Sequence, residues 1–250
     1  MNRTTIWALI LSLALASAAV AAPTPEDRCE AAKLNALRKR TFCIEGERRK
    51  EVLGTTPDTA RCEETFRKSI TMADEAAAKK GASCRWLDNA DGTATDLNSG
   101  LQWELKTDDG SVHDEHDTYR WSTTFGVTTP NGTVFTAFLG TLNGGVSGDG
   151  HTTAGCFASH CDWRLPTIEE LRGILEAESP NCTMSPCTTI PGFTASNPGV
   201  TSASWYWSSS THSPGLSDSA WYADFDVGFV GFVGKAIDIH ARAVRAGSRA

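Results

Sequence analysis

Cys161-Asp162-Trp163-Arg164-Leu165-Pro166-Thr167-Ile168-Glu169-Glu170-Leu171 is the stretch on which the reading of the fold turns. Pro166 fixes its own φ and pushes Leu165 out of the helical region, so an extended segment stops there. Thr167 is placed to cap a helix, with Glu170 as the third-position carboxylate of a capping box. Ile168, Leu171, Ile174 and Leu175 then repeat at helical spacing, and Pro180 is expected to end the helix. Trp163 and the flanking pairs Cys156/Cys161 and Cys182/Cys187 place this helix in the middle of a core. Trp163, Arg164, Pro166, Thr167 and Glu170 are accordingly read as structural.

Working back to the start, Met1-Asn2-Arg3 is followed by an apolar run from Ile6 to Val20 and a small-residue site at Ala19-Val20-Ala21. This is the pattern of a secretory signal peptide over residues 1–21, too short and alanine-rich for a membrane span. The expected mature chain, with Arg3 gone, carries 22 basic against 30 acidic side chains, a net charge of −8. Nucleic acid and anionic membrane surfaces need a basic face, so both are poor candidate partners for such a chain. All eight cysteines lie beyond the leader, and an even number in an exported chain reads as four disulfides. Zinc is the competing reading, although C-x4-C spacing is not a finger pattern.

Residues 22–81 are charged, alanine-rich and free of tryptophan. Cys29, Ala36 and Cys43 recur on one helical face, as do Cys62, Phe66, Ile70, Ala73 and Ala77, with a turn at Gly54-Thr55-Thr56-Pro57. The spacing predicts an antiparallel helical hairpin. Nested bridges Cys43–Cys62 and Cys29–Cys84 fit it, although spacing does not fix connectivity; Cys156–Cys161 and Cys182–Cys187 would close short local loops.

Residues 84–247 have a different texture, with most of the tryptophans and glycines. Asn89-Ala90-Asp91-Gly92 signals a hairpin and Asn98-Ser99-Gly100 a second turn. A helix is expected between Thr133 and Leu142. Strands are expected at Trp205–Ser208, Trp221–Phe225, Phe229–Val233 and Ile237–Arg245. Strands, two helices, then more strands argue for an α+β domain.

Three groups of residues are candidates for chemistry. Asp88, Asn89, Asp91 and Asp96 cluster oxygens that would suit calcium, or simply serve the turn. His113 and His116, within His113-Asp114-Glu115-His116-Asp117 and after Asp108 and Asp109, would bind a metal if they shared a helical face; otherwise the stretch is a solvated loop. Trp205, Trp207 and Trp221, with Tyr206, are candidates for sugar stacking or for the core. Strand alternation puts Trp205 and Trp207 on one face and Tyr206 on the other. No catalytic residue is identified: Ser208-Ser209-Ser210 lacks the Gly-x-Ser-x-Gly elbow. The chain is read as non-enzymatic.

Asp88–Asp96 with Ser99-Gly100-Leu101-Gln102-Trp103, Asp162–Thr167 with Glu170-Leu171, Trp207-Ser208-Ser209-Ser210, Ala220-Trp221 and Val244-Arg245 occur in an order that resembles the Lcl C-terminal domain family. The family is named after a collagen-like bacterial adhesin in which this domain is trimeric and binds sulfated polysaccharides. The resemblance implies an exported glycan- or surface-binding module, an oligomer, and a C-type-lectin-like fold shared with formylglycine-generating enzymes. Sulfate groups call for Arg and Lys, which the acidic balance here does not favour. The chemistry of those enzymes needs cysteines near the C-terminus, and none follows Cys187. The alternative to glycan binding is a structural or partner-docking envelope protein in which the helical hairpin carries the interaction, with an unrecognised hydrolase or oxidase behind it. The compartment is expected to be the periplasm, the outer surface or the medium.

Overall fold

The computed structural model describes residues 22–126, 128–144, 152–153, 155–183, 185–190, 201–212 and 217–247. The leader expected at residues 1–21 lies outside them. Helix α1, Pro25–Val52, starts from a capping box in which the Thr24 hydroxyl accepts from the Asp27 amide and the Asp27 carboxylate accepts from the Thr24 amide. Proline sits in the first turn, where its missing N–H costs nothing. Asp58 caps α2, Thr59–Ala78, and the five residues of its expected apolar stripe are all buried. The two helices lie antiparallel and are stapled by Cys43–Cys62, while Cys29–Cys84 ties the base of the hairpin to the chain that follows. Cys156–Cys161 and Cys182–Cys187 close the two short loops, so all eight cysteines are paired. Four disulfides place the chain in an oxidising, extracytoplasmic compartment. Among the described residues, no helix is long and apolar enough to cross a membrane.

The hairpin docks on a four-stranded antiparallel sheet. Strands β1 (Trp86–Asp88), β2 (Thr93–Asp96) and β3 (Leu101–Glu104) form the expected meander, and β9 (Val244–Ala246) completes the order β1-β2-β3-β9. The fully buried Lys33 ammonium on α1 bridges Asp74 on α2, at 2.5 Å, and the Asn98 amide oxygen in the β2–β3 turn, at 2.5 Å. Gly100, at φ +75°, leaves room for Leu37, whose Cδ2 would lie 2.7 Å from a Cβ added there. That close approach needs glycine twice over.

A π-helical turn, Val134–Phe138, continues into α3, Leu139–Leu142. The short pair β4 (Thr152–Thr153) and β5 (Cys156–Phe157) leads to α4, Ile168–Gly173, whose Thr167/Glu170 capping box forms as expected. The helix is shorter than the sequence suggests: it ends at Gly173, well before Pro180. Ile174 and Leu175 are buried outside it, because the Ile174 carbonyl is taken by Thr188 and by Thr189 rather than by a further helical turn.

A second antiparallel sheet has the order β6-β7-β8, from Trp205–Thr211, Ser219–Asp224 and Phe229–Gly234. It is packed on both faces in its middle. One face sends Trp207, Ala220 and Tyr222 into a cluster with Tyr119, Trp121 and Trp163. The other sends Tyr206 and Ala223 into a cluster with Trp103, Leu171 and Ile174. The segment expected as one long strand over Ile237–Arg245 is a strand only at its end. Ile239 bridges Tyr119, His240 bridges Tyr206 in parallel and Val244 bridges Arg164, so this segment stitches the two sheets together. The result is an α+β fold with an appended, disulfide-stapled helical hairpin.

Candidate ligand-binding surface

The second sheet presents its aromatic residues in cross-strand rows, because residues paired across strands share a face. One row is Trp205–Asp224–Phe229 and the next is Trp207–Tyr222–Gly231. Trp207 is fully buried, and its indole N–H donates to the Tyr119 carbonyl at 2.7 Å. The expectation that Trp205 and Trp207 form one stacking surface is thereby corrected. They share a face, but the cluster around Tyr119, Trp121 and Trp163 covers Trp207 and leaves the Trp205 end of that face open.

The uncovered end is a small platform. Trp205 is 37% exposed and stacks on Tyr222, with ring centroids 4.4 Å apart and planes 17° from parallel. Its indole N–H donates to Oδ2 of Asp224 at 3.1 Å, while Oδ1 accepts from the Asp226 amide at 2.9 Å. Phe229, half exposed, completes the row on the far side of Asp224. Gly231 has no side chain to separate Tyr222 from Phe229: an added Cβ would lie 2.7 Å from the Tyr222 oxygen and 2.9 Å from the Phe229 ring. A carboxylate held between two exposed rings can accept hydroxyl hydrogen bonds from a ligand whose apolar face lies on the rings. No residue in these two rows is basic.

Trp221 sits on the opposite face. It pairs with Phe232, and the His212 ring lies between them, 4.9 Å from Trp221 and 3.9 Å from Phe232. Trp205 and Trp221 therefore cannot touch one ligand. The serines after Trp207 are committed to the framework. Ser208 donates to the Trp221 carbonyl at 2.8 Å, Ser209 to the Pro166 carbonyl at 3.2 Å, and Ser210 accepts from the Ile168 amide at 3.0 Å.

The metal candidates are not brought together. Asp88 accepts from the Ala90 amide at 2.8 Å, and Asp91 from Thr93. Asp96, buried, is paired with Arg85 at 3.1 Å and accepts from the Asn98 amide. His113 turns inward, with Nδ1 2.7 Å from Glu104, while His116 stays on the surface. Asp108, Glu115 and His116 place ligand atoms within 4.8 Å of one another, with Asp108 and His116 exposed and Glu115 part-buried. Asp114 receives the amides of His116, Asp109 and Gly110, which hold its carboxyl below the usual range.

Sequence spacing did not single out the buried ionic cluster around Glu104. Lys106 lies 3.0 Å from Glu104 and 4.6 Å above the Phe138 ring, and the Ala243 amide donates to the same carboxylate at 2.9 Å. Arg242, fully buried, donates to the Glu104 carbonyl at 2.7 Å. Nearby, Arg245 joins Gln102 at 2.5 Å to Asp162 at 2.7 Å, fixing the last strand to the central stretch. The Glu104 cluster is wholly buried and its charges face one another and backbone groups, although among the described residues the buried Arg242 Nε has no hydrogen-bond partner; that burial marks it as framework. An open cleft of about 530 Å³ separates α1 from the first sheet, floored by Asn89, Thr95 and Gln102.

The Lcl C-terminal domain family model matches residues 92–245, more than half of the chain. The chain belongs to that family, whose domain is one of unknown function, so membership names no ligand. Neither curated proteins nor solved structures yield a match.

Proposed function

We propose that this member of the Lcl C-terminal domain family is an exported, non-catalytic glycan-binding module, adhesin-like in function, whose ligand packs on the Trp205–Asp224–Phe229 row. The observation that carries the reading is the pairing of an exposed, Tyr222-backed indole with a carboxylate fixed at its edge. A pyranose has an apolar face of C–H groups for the rings and hydroxyls for Asp224. Carboxylates here and the acidic balance of the chain favour neutral or cationic sugars over sulfated ones. The non-catalytic reading is supported by the paired cysteines and by the commitment of Ser208, Ser209 and Ser210 to backbone groups. The four disulfides and the leader pattern at residues 1–21 support an address in the periplasm, at the surface or outside the cell.

The test is binding of the disulfide-bonded protein to a polysaccharide panel at physiological salt, with calcium and with chelator. Binding to neutral glycans that survives chelator, is lost in Trp205→Ala and is retained in Trp221→Ala is the expected result. Binding lost equally in both variants, or dependent on calcium, would remove the platform as the site. An absence of glycan binding would favour the docking alternative.

A further inference from the structure

The two larger sheets shorten or cover every edge but one. In the first, β1 spans only three residues, and the outer side of β9 is taken by Arg164, which exchanges amide and carbonyl with Val244 at 3.0 and 2.9 Å. In the second, the outer side of β6 is taken by His240, whose amide donates to the Trp205 carbonyl at 3.0 Å and whose carbonyl accepts from the Trp207 amide at 2.9 Å. Strand β8 is the exception. The Asp218 and Asp224 carbonyls accept from the Lys235 and Gly228 amides, so the even-numbered residues of β7 turn their backbone toward β8, where they face Val233, Gly231 and Phe229. Val230, Phe232 and Gly234 therefore point their backbone groups outward. Among the described residues the Gly234 carbonyl alone of these groups is used, accepting from the Ile237 amide at 3.1 Å. Natural sheets blunt such an edge with charge, proline or a bulge. Strand β8 has none of these: it reads Phe-Val-Gly twice over, its register with β7 is unbroken, and no ionisable side chain lies between Val227 and Gly234. Phe232 is 46% exposed, and Phe125, 70% exposed, lies beside Gly234.

We infer that this edge pairs with the same edge of a second copy of the chain, antiparallel and about a two-fold axis at Phe232. The axis follows from the outward groups. With Phe232 opposite itself, Val230 of each copy meets Gly234 of the other, so every outward residue exchanges hydrogen bonds with a partner. Moving the axis to Gly231 would set Gly234 against Gly228, whose carbonyl already accepts the Ser179 amide at 2.9 Å. The side chains agree with this register. The two Phe232 rings meet across the axis, each already in contact with Trp221 and His212 of its own chain. Val230 lies against Gly234 of the second copy, next to that copy's Phe125. In a chain with an acidic excess, this charge-free strip is also where two copies repel each other least. The edge is thus complementary to itself in backbone, side-chain size and charge, and an isologous contact of this kind stops at two copies. Both Trp205 platforms would then lie on one face of the joined sheet, three strands from each copy, and engage one repeating polymer. That consequence rests on the glycan reading; the pairing itself does not.

The test is sedimentation velocity of the disulfide-bonded protein, with residues 1–21 removed, across a concentration series. A strip this small falls below the usual size of a stable interface, so a reversible monomer–dimer equilibrium in roughly the micromolar range is expected. Phe232→Lys and Phe232→Glu each set like charges against one another at the axis. Either should weaken dimerisation by about tenfold or more, and an equimolar mixture of the two should dimerise again. Unchanged circular dichroism would show both variants folded. Hydrogen exchange gives a readout that needs no variant: the Val230, Phe232 and Gly234 amides should become protected on dimerisation, while Gly231 and Val233, bonded to β7, are protected at every concentration. A protein that stays monomeric, one that forms trimers or open-ended assemblies, variants that self-associate unchanged, or a mixture no more dimeric than its parts would overturn the inference. So would protection of the outward amides in the monomer, which would show that another part of the same chain covers the edge.

Discussion

Arg164 and Glu170 face each other in a two-pronged ion pair, Nη1 to Oε2 at 2.8 Å and Nη2 to Oε1 at 2.7 Å. Oε2 also accepts the Thr167 amide at 2.7 Å, so one carboxylate closes the helix cap and receives the guanidinium. The Arg164 backbone in turn pairs with Val244, which makes this contact the joint between α4 and the last strand. Removing either partner should cost about 1 kcal/mol, because both side chains are part-exposed. Arg164→Lys should recover only part of it, since an ammonium cannot reproduce the fork. Urea melts of R164A, E170A and the double variant should show non-additive losses; simple addition would mean the pair is not coupled.

Gly228 should tolerate no side chain. It has φ +74°, and an added Cβ would collide with the Ala177 backbone and lie 2.9 Å from the Cys187 sulfur. Gly228→Ala should destabilise the protein by on the order of 3 kcal/mol, measured by thermal or urea unfolding. A loss below about 1 kcal/mol would show that the loop between α4 and Cys187 moves aside freely.

Gly231→Ala should act differently. Its clash is with the Tyr222 hydroxyl and the Phe229 ring, the two groups beneath and beside the platform. Glycan binding should fall by roughly tenfold or more, with a smaller change in melting temperature than Gly228→Ala produces. Full retention of binding would separate Tyr222 and Phe229 from the ligand.

The hairpin should depend on its staples. In the chain-entropy model, Cys43–Cys62, spanning 19 residues, contributes about 3 kcal/mol, and Cys29–Cys84, spanning 55, about 4 kcal/mol. Cys43→Ser with Cys62→Ser should therefore raise amide exchange and protease sensitivity within residues 25–78 while the two sheets stay protected. Equal loss of protection throughout would show that hairpin and sheets unfold as one unit.

Acidification should destabilise the fold in two steps. Burial, followed by the nearby Lys106, holds His240 below its ordinary value. Burial pushes the Glu104 carboxyl up, but Lys106 and His113 outweigh it and keep Glu104 below the usual range. In both cases the unfolded chain binds more protons than the folded one between the two pKa values, so stability rises with pH there. The His240 contribution is complete above about pH 6.5 and declines as pH falls below it; the Glu104 contribution declines from about pH 4.3 downward. Urea midpoints across this range should show both declines, with His240→Asn flattening the upper and Glu104→Gln the lower. A midpoint independent of pH across the whole range would contradict both assignments.

Local chemistry explains which elements were readable. The capping box at Thr167, the Asp-Gly turn and the two helical stripes of the hairpin each rest on contacts a few residues apart, so spacing exposed them. The end of α4 was not readable, because Thr188 and Thr189, distant in sequence, claim the Ile174 carbonyl. Nor was the path of residues 237–245: its alternation is that of a strand, but three different elements compete for its backbone. His113 and His116, read together, separate because Glu104 offers a buried partner to only one of them.

What the sequence determined by itself was the class: an α+β domain, a cysteine-stapled hairpin and the family to which residues 92–245 belong. Those follow from short-range periodicity, turn chemistry and an ordered set of motifs. Tertiary structure decided which aromatic rings reach solvent. Alternation placed Trp205 and Trp207 on one face, but only packing could bury one and leave the other at the uncovered end beside Asp224. Period two assigns a side chain to a face of a sheet. How far the opposing layer extends over that face depends on residues distant in the chain, such as Tyr119, 88 positions before Trp207.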